Sequence, residues 1–121
     1  MADFIEIDIK SPQVGLIIDS LYLLRNTTFG NLTSKEHVPI KANATRIINL
    51  LEGSHTQYTI KSFEIMINAL INLKSAVYNN PNFFEDCEIE CDVEEYKLKV
   101  KGALYWAQSY LCFLGYDSAL E

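Results

Sequence analysis

The stretch CEIECDVEEYKLKVKGALYWAQSYLCFLG, Cys87 to Gly115, decides the fold, because its first half fits two incompatible periods. With a period of two, Cys87, Ile89, Cys91 and Val93 alternate with acids, and Tyr96, Leu98 and Val100 alternate with lysines. A hairpin over 87–101, turning at Glu94-Glu95, sets Asp92 against Lys97, Glu90 against Lys99 and Glu88 against Lys101. Such opposite charges favour cross-strand pairing. The turn opposes it, because two-residue hairpins want Asn-Gly or Asp-Gly rather than Glu-Glu.

With a period of 3.6, Asp92 followed by Glu95 resembles a capping box, and the first turn carries the negative charge that a helix N-terminus favours. Glu95 and Lys99 form a well-oriented i,i+4 pair. Val93, Tyr96, Val100, Ala103, Leu104, Ala107, Tyr110, Leu111 and Leu114 then hold helical spacing until Gly115. Helix is favoured from Asp92 onward, with Cys87–Cys91 as a short strand. The hairpin over 87–101 is the alternative and makes the chain α+β.

Working towards the N-terminus, Thr59–Tyr78 reads as a broad apolar helix carried by Ile60, Phe63, Ile67, Leu70 and Ile71, ended by Asn79-Asn80-Pro81-Asn82. Before it, Pro39 opens a helix through Ile40, Ala44, Ile47, Ile48 and Leu51, and Gly53 closes it. Residues 54–58 are a short connection, and Asn26–Val38 is a loop. Ser11-Pro12 caps and opens the first helix, whose residues Val14, Ile17, Ile18, Leu21 and Leu24 are widened by Leu16 and Leu23. So broad an apolar face belongs at the centre of the molecule. Ile5, Ile7 and Ile9 alternate with Glu6, Asp8 and Lys10, which marks a strand over residues 4–9. The expected whole is mainly α: one domain, 1–121, built as a compact four-helix bundle, with an optional strand pair of residues 4–9 and 87–91.

Composition limits function. The 121 residues carry ten Lys and Arg against sixteen Asp and Glu, a net charge of −6, and 49% are hydrophobic. That suffices for one core. Scattered cations on an acidic chain argue against nucleic acid, whose phosphates need clustered Lys and Arg. No run of 18 apolar residues exists to span a membrane. The opening MADFIEIDIK is acidic and alternating, unlike a leader, so the expected compartment is cytoplasmic. The Asn- and Ile-rich composition suits a bacterial or phage source.

Catalytic chemistry finds no foothold in the sequence. Cys87, Cys91 and Cys112 read as free thiols, and His37 and His55 stand too far from them in sequence to suggest a structural zinc set. Ser54-His55 are chain neighbours, which is not how a serine–histidine pair is assembled. Cys112 lies in an apolar helix where burial makes a thiol inert. The five glycines are dispersed, so no phosphate-cradling loop is formed. No catalytic residue, metal or cofactor is expected.

Two features remain. Seven acids crowd residues 85–95 without a Lys or Arg, and Glu88, Glu90, Asp92, Glu94 and Glu95 are the candidate encounter charges for a partner with a basic surface. Trp106, Tyr110 and Phe113 lie at i, i+4 and i+7 and are the candidate anchors. The expected function is therefore a non-catalytic interaction module, a small acidic inhibitor, immunity-type factor or adaptor, with a homodimer as one way to hide excess apolar surface. The alternatives are a small-molecule-binding helical domain, in which Arg46 or Arg25 meets an anionic ligand, and a structural subunit of a homo-oligomer.

Overall fold

A computed structural model describes residues 4–26, 34–80, 82–86 and 92–113. Its elements run β1 (Phe4–Glu6), α1 (Pro12–Asn26), α2 (Ser34–Glu52), β2 (Gln57–Thr59), α3 (Ile60–Asn79), α4 (Phe83–Asp86) and α5 (Val93–Phe113). The chain is mainly α, with four long helices and a small antiparallel strand pair among the described residues. The hairpin alternative fails over 93–101, which lie within α5. Asp92 caps that helix: its Oδ1 accepts the Glu95 N–H at 2.9 Å, and its carbonyl accepts the Tyr96 N–H. A carboxylate that satisfies an orphan helix donor outweighs a turn built from two glutamates.

α1 is the central pillar. Ile17 and Leu21 are fully buried, and the helix packs against α2, α3 and α5. One large core gathers Ile5, Ile17, Leu21, Ile47, Phe63, Leu70 and Leu111. A smaller one, Leu73, Val77, Phe83, Tyr96 and Val100, seals the end where α4 meets α3 and α5. Leu16 packs against both. Thr59 caps α3, its hydroxyl accepting the Ser62 N–H at 3.1 Å.

Two boundaries are corrected. The strand at residues 4–9 ends at Glu6, although the Ile7 N–H still reaches the Thr56 carbonyl at 2.8 Å. Its partner among the described residues is β2, with Ile5 opposite Tyr58; residues 87–91, the expected partner, lie outside the described residues. The strand was hidden in the 54–58 connection because it is only three residues long; what stabilises it is the burial of Ile5 and Tyr58, not a period of its own. Finally, α2 begins at Ser34, so residues 34–38 are helix rather than loop and Pro39 sits inside the helix. Proline lacks one donor and crowds the preceding turn, a cost that the apolar face from Ala44 to Leu51 offsets by packing on α1.

Candidate functional site

α5 holds five of the eight expected contact residues and a sixth, Asp92, caps it, and its two sides use them differently. Asp92, Glu94 and Glu95 are exposed at its N-terminus. Asp92 serves as the cap, Glu94 lies 3.7 Å from Lys97, and Glu95 lies 3.2 Å from Lys99. Lys97 also sits over the Tyr78 ring, 5.3 Å from its centroid. The acids are therefore partly offset by lysines one turn further on, and they sit where the helix dipole favours them. Glu88 and Glu90 lie outside the described residues.

The aromatic stripe divides. Trp106 and Tyr110 pack on Phe63, with ring centroids 6.2 and 5.8 Å away, and on each other at 6.1 Å. Both are half-buried against the main core, and the Tyr110 hydroxyl donates to the Glu6 carbonyl at 3.2 Å, tying α5 to β1. Phe113, the third member, is 89% exposed. The structure thus separates two inward anchors from one outward one.

Two residues that the sequence reading passed over join Phe113. Leu98 is 67% exposed and Tyr105 is 73% exposed. Leu98, Tyr105 and Phe113 are spaced by seven and eight residues, so they share one side of α5 over about 22 Å. The signal was present: all three fall opposite Val100, Ala103 and Ala107, which are buried. A wheel drawn around that buried stripe marks them as the outward apolar ridge.

Two depressions accompany the ridge. One, about 730 Å³, is lined by Arg25, Lys41 and Arg46, together with Thr45 and Asn49. Arg25 stacks 4.5 Å over the Tyr22 ring, and Arg46 donates to the Ser62 hydroxyl at 3.1 Å. The Tyr22 hydroxyl donates to Glu52, a bond that raises its pKa. The two arginines expected to meet an anion therefore share one surface. The other depression, about 620 Å³, lies between α1 and α5.

No group of three or more His, Cys, Asp or Glu side chains is placed to hold a metal among the described residues; Cys87 and Cys91 lie outside them. Cys112 is half-buried rather than fully buried. No described helix is long and apolar enough to cross a membrane. Comparison with family models, curated proteins and solved structures finds no match.

Proposed function

We propose that this chain is a non-catalytic, cytoplasmic contact protein, of the inhibitor, immunity or adaptor kind, that docks on a partner protein through the outer side of α5. The observation that carries the reading is the ridge of Leu98, Tyr105 and Phe113, three large apolar side chains turned to solvent along one helix. Exposed apolar surface of this kind, bordered by charge, is characteristic of interaction sites. Asp92, Glu94 and Glu95 stand at the start of the same helix, preceded in the chain by Glu88 and Glu90, and would steer a basic surface towards the ridge. Trp106 and Tyr110 act from behind, fixing the helix on Phe63 so that the ridge is rigid before it binds.

The test is affinity capture from the native cell with the intact chain, with Tyr105→Ala/Phe113→Ala, and with Glu88, Glu90 and Glu94 reversed to Lys. Loss of one basic-faced partner in the first variant, and salt-sensitive weakening in the second, supports the reading. Capture that survives both overturns it. Sedimentation equilibrium run alongside separates the homo-oligomer alternative: a dimer that the same Ala pair dissociates means the ridge binds a second copy.

The basic depression favours a second reading, a binder of small anions, since Arg25, Lys41 and Arg46 line it with no acid among its lining residues. Thermal stabilisation by inorganic phosphate, lost in Arg46→Gln, would support it.

A further inference from the structure

Glycine inside a helix costs stability relative to alanine, so its presence calls for a packing reason. At Gly15 in α1 and Gly102 in α5 the fold supplies none: a Cβ added at either position meets nothing within 4 Å. Both glycines line the same cleft between α1 and α5. Leu16, Tyr96 and Ala103 give it a mostly apolar wall, and its volume, about 620 Å³, is that of a small-molecule site.

The polar groups of the cleft are unequal. Gln13 accepts the Ser11 hydroxyl, and Lys99 is paired with Glu95 at 3.2 Å. Asp19 has no ion pair or side-chain hydrogen bond among the described residues. Asp19 lies at the exposed rim of the cleft, and its partial burial there raises its pKa. Lys99 leans to Glu95 outside the lining, which leaves the Asp19 carboxylate as the one acidic group among the lining residues, at the rim of an apolar wall.

We propose that this cleft is a binding site for a small organic amine, its apolar body lying on Leu16 and Ala103 and its ammonium group meeting the Asp19 carboxylate. The missing side chains at Gly15 and Gly102 leave the space that the body occupies. The site is separate from the outer ridge of α5 and does not depend on the docking role.

Phenethylamine is the probe, with phenethyl alcohol and hydrocinnamate as its neutral and anionic counterparts, titrated into the full chain while the amide resonances of Gly15 and Gly102 are followed. Saturable shifts of both glycines, with the amine binding about tenfold more tightly than the alcohol, are expected from one charge-assisted contact. Asp19→Asn should abolish that preference. Gly102→Leu, which the open space accommodates, should block binding while the circular dichroism of the helices persists. Equal affinity for amine and alcohol, shifts confined to the start of α5 near Glu94 and Glu95, or unchanged binding in Gly102→Leu would overturn the proposal. Partner capture by Tyr105→Ala/Phe113→Ala is a separate readout, so either idea can fail without the other.

Discussion

At the end of α2 the chain places a serine where glycine is the better residue. The His55 N–H reaches the Leu50 carbonyl and the Ser54 N–H reaches the Leu51 carbonyl, both at 3.1 Å, which is the paired bonding of a Schellman motif. The motif requires a left-handed residue, and that residue is Ser54, with φ of 64°, not the adjacent Gly53. Gly53 has its own reason: a Cβ there would stand 3.1 Å from the Asn49 carbonyl oxygen. In the sequence Gly53 marks the helix stop, one residue before the left-handed position, because a glycine stands there while the bond pattern is set only by the folded backbone. Gly15 and Gly102 present the reverse case, glycine where a side chain has room. Ser54→Gly is therefore expected to stabilise the fold by up to about 1 kcal/mol, and Gly15→Ala or Gly102→Ala by about 0.5–1 kcal/mol each. Thermal unfolding of the three variants checks this, and a fall in midpoint at Ser54→Gly would show that the serine side chain contributes something its backbone geometry does not reveal.

Among the elements, α5 shows most clearly what periodicity can and cannot convey. Its existence and register were legible, since Asp92, Glu95 and the Val100/Leu104/Leu111 stripe agree on a helix at every level. So were α1 and α3, whose broad apolar faces bury Ile17, Leu21, Phe63 and Leu70 completely. β1 was legible in the alternation of Ile5, Ile7 and Ile9, but β2 was not: three residues have too little alternation to register, and β2 is held by the tertiary burial of Tyr58 opposite Ile5. Nor was the start of α2, because Pro39 signals a helix opening that packing overrides. The contact residues were half legible. A spacing of i, i+4, i+7 gathers Trp106, Tyr110 and Phe113 into one stripe, yet Phe113 is the last residue of α5, about 10 Å further along the axis than Trp106, and stands in solvent while Trp106 and Tyr110 pack on Phe63. The division is measurable. Trp106→Ala should destabilise the fold by about 2–4 kcal/mol, as for a packed aromatic that is only part buried. Phe113→Ala or Leu98→Ala should stay within about 0.5 kcal/mol, as exposed substitutions do. Chemical denaturation decides it: a large loss at Phe113 would assign that ring to the core instead of the outward ridge.

The whole molecule is organised by α1, the helix that α2, α3 and α5 all touch. The large core surrounds it, whereas the smaller core of Leu73, Val77, Phe83, Tyr96 and Val100 lies at one end and joins the rest through Leu16. Cooperative units of a protein follow such divisions, and the unit with fewer buried apolar neighbours opens at lower free energy than the whole. Amides around Ile17 and Leu21 should therefore exchange with solvent only when the entire domain unfolds. Those in the first turns of α5, Tyr96 to Val100, should exchange through a cheaper opening confined to the small core. Phe83 belongs to that core and to no other, and it is 3% exposed, so Phe83→Ala leaves a cavity there alone. Native-state hydrogen exchange should then show residues 96–100 exchanging markedly faster, with the protection of α1 falling only by the loss in global stability. Such an opening would release the acidic start of α5 while Trp106 and Tyr110 still hold Tyr105 and Phe113 in place, so partner binding through the ridge should weaken less than the exchange rates suggest. Uniform acceleration across α1 and α5 would mean that the two cores unfold as one unit and that Leu16 couples them as strongly as either core is held within itself.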